Sequence, residues 1–225
     1  AYPGGGDDWF NLLNRGKVYT ATANSDSHGF SMEAGSPRNY LLTGVDHPQQ
    51  LSGEKMVELI RARKILMTNG PILEFSISQK PEETGVGMGE MLRLQGQGKI
   101  FLKILAKAPS WMDLSEIVVY QNGRMIRKIP VPSSKAVERL STQIEVSLEA
   151  DAWFVVTAKG TRGDLWPVVT PTEFEPFQIG QAVGLLQETL LASFPVSLNL
   201  SSDTCLVPTR SRLVTPYAIT NPIWV

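Results

Sequence analysis

The sequence predicts an α+β fold, with a short α/β segment over residues 1–71 followed by an antiparallel β-sandwich over residues 72–225. Three observations predict it. Up to Asn69-Gly70-Pro71, helix-period and strand-like runs follow one another as helix, strand, strand, helix, strand. Beyond Pro71 the runs are strand-like, are separated by turn residues and contain few helical periods. Finally, Asn122-Gly123 stands between two of these runs, a strong two-residue hairpin signal.

In the first segment, Asp7 can cap a helix that carries Trp9, Leu12 and Leu13 at helical spacing and ends at Gly16. Val18 to Ala23 reads as a strand running into Asn24-Ser25-Asp26-Ser27-His28-Gly29. Such a polar cluster is of the kind that lines the C-terminal mouth of parallel strands in α/β barrels. A loop with Gly35, Pro37 and Arg38 leads to a strand over Tyr40 to Val45. Ser52 then caps a helix from Gly53 to about Lys64, with Met56, Leu59 and Ile60 as its buried stripe, and Ile65 to Thr68 is a short strand.

The sandwich strands are read as Ile72 to Ser78, Lys99 to Ala106, Glu116 to Tyr120, Arg124 to Ile129, Thr142 to Leu148, Ala152 to Ala158 and a final Tyr217 to Val225. Ile144, Val146 and Leu148 alternate as a half-buried strand requires. Val183, Leu186, Leu190 and Leu191 place a helical insertion around residues 180–194. Gly85-Val86-Gly87-Met88-Gly89 has the glycine content of a phosphate loop. It is followed by strand-like Met91 to Leu94 and no helix, so a hairpin or bulge is expected.

Composition narrows the function. With 21 basic and 22 acidic residues the net charge is −1, and no Lys/Arg run interleaves with aromatics, so no nucleic acid partner is expected. No stretch approaches the roughly 18 apolar residues of a membrane span, so no membrane partner is expected either. The single cysteine, Cys205, excludes an internal disulfide and a paired-cysteine metal knuckle. The chain starts at Ala-Tyr-Pro and stops at Ile-Trp-Val, and both ends are expected to be those of a piece of something longer.

Asp26-Ser27-His28 is the sharpest chemical feature. Residues two apart at a strand end project to the same side, and a carboxylate with an imidazole suits zinc, manganese or iron. By spacing alone the signal is weak, and a solvated loop whose Asp accepts a backbone N–H is the commoner reading. Arg38, after the Gly35-Ser36-Pro37 turn, could clamp a substrate anion, or pair with Glu33 or solvent at the surface. His47 precedes Pro48 and reads as a loop residue. Ser25, Asp26 and His28 lie too close in sequence to line up as a hydrolase triad, and no nucleophile elbow is present. Trp111, Trp153, Trp166 and Trp224 suit core or edge positions better than a sugar-stacking platform.

Several stretches together resemble a known family. They are Trp9 to Gly16, Thr20 to His28, Gly35-Ser36-Pro37-Arg38-Asn39-Tyr40 and Thr68-Asn69-Gly70-Pro71. In order, they are similar to the end of a polymerase and histidinol phosphatase (PHP) domain of the carbaryl-hydrolase-like CehA/McbA branch. Asp151 to Val156 and Pro216 to Val225 are similar to the β-domain appended in that branch, while residues from about 165 to 212 carry little resemblance.

The resemblance implies that residues 1–71 are the C-terminal fragment of a PHP-type (β/α) barrel, with Asp26 and His28 as the last two ligands of a divalent metal cluster of zinc, manganese or iron. The family's earlier ligands have no counterpart here, since His28 and His47 are the chain's two histidines. The chain is therefore expected to be the C-terminal segment of a metal-dependent hydrolase of a phosphoester, carbamate or related ester. It would be inactive without the missing N-terminal half of the barrel, which becomes its expected partner beside a small-molecule ester substrate. Dimerisation through an exposed barrel surface is a further expectation. The alternative is a non-catalytic β-sandwich module that binds a partner or serves a structural role.

Overall fold

The computed structural model describes residues 5–26, 35–94, 98–161, 163–164 and 213–225. Within them the protein is β-rich, built of antiparallel sheets with two α-helices. The helices are α1 (Gly5–Asn14) and α2 (Gly53–Arg61). The strands are β1 (Arg38–Leu41), β2 (Ile65–Thr68), β3 (Ile72–Ser78), β4 (Val86–Gly87), β5 (Gly98–Lys107), β6 (Glu116–Gln121) and β7 (Arg124–Pro130), then β8 (Glu138–Leu148), β9 (Trp153–Lys159), β10 (Gly163–Asp164), β11 (Leu213–Val214), β12 (Tyr217–Thr220) and β13 (Ile223–Trp224).

Seven strands form one sheet in the order β1-β2-β12-β9-β6-β7, with β13 also pairing β9. Four form a second sheet in the order β4-β3-β5-β8, and β10 pairs β11. Phe154, Val156 and Ala158 of β9 pack between the sheets against Leu73, Phe75 and Ile77 of β3 and against Ile100, Leu102 and Ile104 of β5. The intervening Trp153 and Val155 point to the other face, where α1 sets Leu13, Trp9 and Phe10 against them. The Phe10 ring lies 5.0 Å from Trp153 and 5.4 Å from Tyr120. Covered on both faces, β9 is buried from Trp153 to Ala158 and apolar there but for Thr157, rather than alternating. β8, with one face on the core, alternates.

The turns are dictated by their residues. Asn122 and Gly123, at φ 50° and 81°, join Gln121 to its partner Arg124, as a two-residue hairpin loop demands. β4 pairs antiparallel with β3, so the glycine-rich stretch is a hairpin. In it, Gly89 (φ 82°) passes so close to α2 that a Cβ would sit 1.8 Å from the Ala62 carbonyl oxygen. At the start of α2, Ser52 accepts the Lys55 N–H at 3.1 Å, as the capping signal predicts.

Asp7 lies inside α1 instead of capping it, and the strand read as Tyr40 to Val45 runs from Arg38 to Leu41. Four further readings of the sequence differ from the structure. The first concerns residues 1–71, where α/β order implies parallel strands. β1 and β2 instead pair antiparallel, with Arg38 opposite Thr68, and β2 pairs β12 antiparallel as well. The connection through α2 returns the chain beside β1, closed by a 2.9 Å bond from Leu42 N–H to the Lys64 carbonyl, instead of crossing over the sheet. β2 thereby joins the sheet formed mostly by residues beyond 72. Second, the stripe of α2 buries Leu59 and leaves Met56 and Ile60 exposed, because little of the described chain packs on that side. Third, Val18 to Ala23 joins no strand ladder, and it opens on a turn in which Tyr19 N–H donates to the Lys17 carbonyl at 3.1 Å. Fourth, the last strand is split into β12 and β13 by Asn221-Pro222, proline having no N–H to give a ladder. The helix expected around residues 180–194 lies outside the described residues.

Two outcomes test this architecture. Phe154→Ala should lower unfolding free energy in urea by about 3–5 kcal/mol, whereas the exposed Met125→Ala should change it by less than about 0.5 kcal/mol. Glu90 accepts from Lys64 Nζ at 2.8 Å and from the Gly87 N–H at 2.7 Å. The Lys64 hydrogen bond first, then the Gly87 N–H, hold its carboxyl below the ordinary range. A lowered carboxyl pKa contributes stability that is present above the unfolded value of about 4.3 and is lost as pH falls through the folded one. Glu90→Gln should therefore flatten the acid limb of a stability–pH curve while leaving its slope above neutrality unchanged.

Candidate functional site

The polar cluster is reached through residues 17–26, which leave α1 with Lys17 N–H on the Leu12 carbonyl at 2.9 Å and Trp9 Nε1 on the Tyr19 carbonyl at 3.2 Å. From there the chain is extended, and side-chain amides tie it to the sheet. Ala21 donates its N–H to Asn221 Oδ1 and accepts from Asn221 Nδ2, both at 3.0 Å. Ala23 makes the same pair with Asn39, both bonds at 2.8 Å. A primary amide presents the donor and acceptor of a peptide group, so each Asn stands in for one residue of a neighbouring strand. Asn221 is wholly buried and also donates to the Ile65 carbonyl at 3.0 Å, so its amide leaves no polar group unmatched.

These ties set direction. Ala21 shares Asn221 with Ile65, and Ala23 is held by Asn39, which lies opposite Met67. The segment thus runs in the same sense as β2 and delivers Asp26 to the end of the sheet where Arg38 faces Thr68. Ser25 Oγ, accepting the Gly35 N–H at 3.2 Å, links the cluster to the loop before Arg38. Asn39 Nδ2 also reaches Asn24 Oδ1 at 3.2 Å.

Asp26 is exposed with φ 49°, a left-handed conformation that Asp and Asn adopt more readily than other non-glycine residues. Arg38 is exposed at the start of β1, its guanidinium 5.8 Å from the Tyr40 ring centre. The structure therefore brings Asp26 and Arg38 to one end of the sheet. His28 lies outside the described residues. His47 precedes a short 3₁₀ turn (Pro48–Gln50) in extended backbone without capping it through its side chain, consistent with a loop residue. Among the described residues no group of three or more His, Cys, Asp or Glu side chains is gathered to hold a metal ion, and no helix is long and apolar enough to cross a membrane.

Asn39 and Asn221 are the residues that reading for chemistry missed. Their signal was available, since asparagine is depleted in strands and each of these sits in or beside one. Asn69 uses the same device, donating to the Thr215 carbonyl at 2.9 Å and accepting from Tyr217 N–H at 2.8 Å to set the start of β12. A cavity of about 1130 Å³ opens at the far end of the extended segment, between Val18, Arg63, Met91, Asp151 and Trp224. Arg63 stacks on Trp224 there at 5.1 Å, but neither Asp26 nor Arg38 lines it. Compared with protein families, with curated proteins and with solved structures, the chain finds no match.

Removing each amide should rank the two ties. Asn221→Ala strands buried groups and should cost about 1–3 kcal/mol in urea unfolding. Asn39→Ala, where water can reach the freed groups, should cost less. The reverse order would refute the assignment of these bonds.

Proposed function

We propose that the chain is the C-terminal part of a PHP-type metal-dependent hydrolase acting on a phosphoester, carbamate or related ester. Residues 1–71 would be the end of its (β/α) barrel, and residues 72–225 would brace it. Asp26 and His28 act as ligands to a divalent zinc, manganese or iron, and Arg38 faces the anionic part of the substrate.

One observation carries this reading. The amide-held segment runs in the same sense as β2 and ends in a left-handed Asp26 beside the Arg38 end of β1, which is where a strand-end ligand belongs. A carboxylate and an imidazole suit such ions, and a bound ion would lower the pKa of a coordinated water and polarise the scissile oxygen. Asp26 and His28 would hold that ion rather than move protons, and Arg38 would orient the substrate through its planar fork. A hydrolytic metal takes at least three protein ligands, so the remaining ligands would come from a polypeptide upstream of Ala1. The alternative of a non-catalytic β-module is favoured by the core between the two sheets, to which residues 1–71 contribute Leu66 alone among its buried members.

The test is to co-purify this chain with the polypeptide encoded upstream and titrate zinc or manganese. Stoichiometric binding and hydrolysis of a chromogenic ester are expected. Asp26→Ala and His28→Ala should each reduce hydrolysis at least a hundredfold, about 2.7 kcal/mol, and Arg38→Ala should raise KM more than it lowers kcat. Full activity in both ligand variants would leave the β-module reading.

A further inference from the structure

We infer that residues 20–24 are a seat for an extended polypeptide strand donated by a partner, which adds along their outer edge by main-chain hydrogen bonds. In extended chain, successive residues direct their N–H and C=O groups to opposite sides. The groups of Ala21 and Ala23 face the sheet and are taken by Asn221 and Asn39, while Tyr19, on the same side, accepts from Trp9.

Thr20, Thr22 and Asn24 point the other way. Their side chains bond, Thr20 Oγ1 to the Ile60 carbonyl at 2.9 Å and Asn24 Nδ2 to Thr22 Oγ1 at 3.5 Å, but among the described residues their main-chain N–H and C=O groups have no partner. Donors and acceptors repeating every second residue are matched in register by another extended chain.

Two further observations identify the occupant as a strand with apolar side chains. Natural edge strands are protected by charges, prolines or bulges, yet residues 18–25 contain no charged residue and no proline. The bond from Thr20 to Ile60 also sets α2 beside Thr20, and Met56 (42% exposed) and Ile60 (38%) of that helix, with Tyr19 (58%) just before the edge, leave apolar surface nearby for the incoming side chains. The inference stands on this edge alone and does not need Asp26 or His28 to bind a metal.

To test it, the 225-residue chain is titrated into fluorescently labelled nine-residue peptides with alternating apolar and polar residues. Each binder is remade with N-methyl groups at alternate positions. Thr22→Pro removes an N–H that has no partner among the described residues, so the thermal midpoint should not move. Saturable binding is expected for at least one peptide, weakened tenfold or more by Thr22→Pro and by N-methylation of the edge-facing residues. Should Thr22→Pro unfold the chain, the N-methylated peptides decide the matter alone. Binding indifferent to both changes, or no saturable binding by any peptide, overturns the inference. Self-association of the chain that Thr22→Pro abolishes would give the seat to a second copy and overturn the assignment to a partner.

Discussion

Two asparagine amides carry the main chain that leads to Asp26. A strand joined to a sheet by a full ladder exchanges backbone bonds with its neighbour along its length. The main chain of residues 20–24 instead rests on Asn221 at Ala21 and on Asn39 at Ala23. Everything proposed about the site depends on these bonds, because they set the direction of the segment and the corner of the sheet at which it ends. They also explain why the segment is extended without being a strand. Asn side chains project from the sheet and satisfy one edge, and among the described residues the main chain of Thr20, Thr22 and Asn24 on the other edge has no partner.

The rest of the molecule makes that arrangement possible. β9, apolar on both faces, is the plank to which the sandwich core attaches below and α1 above. Asn14 accepts from Trp153 Nε1 at 2.9 Å and donates to the Asn122 carbonyl at 3.1 Å, fastening the end of α1 to the hairpin turn. With α1 fixed, the chain that leaves it is aimed along β2. Asn14, Asn39, Asn69, Asn122 and Asn221 all bond to main chain that is distant in sequence or lies beyond their own turn. In this protein asparagine serves as connector more than as turn former.

Much of the sandwich was legible in the sequence, since its signals are local. Alternation in β8, the Asn122-Gly123 turn and the Ser52 cap each depend on a few adjacent residues, and each folds as read. The first 71 residues were legible as elements but not as an arrangement. Strand pairing is a long-range property, and β2 finds β12 some 150 residues away. Helical spacing identified the stripe of α2 but could not say whether anything covers it. Of the candidate site, Asp26 and Arg38 stood out by residue type, and their roles belong to the proposal. The two asparagines that hold the segment did not stand out, because a side chain that imitates backbone has no spacing rule of its own.

Residue-resolved amide exchange of the chain tests the central claim most directly. Side-chain amides on one edge, and no main-chain partner among the described residues on the other, predict an alternating pattern, with slow exchange at Ala21 and Ala23 and fast exchange at Thr20, Thr22 and Asn24. Uniform protection through residues 20–24, or uniform fast exchange, would contradict it.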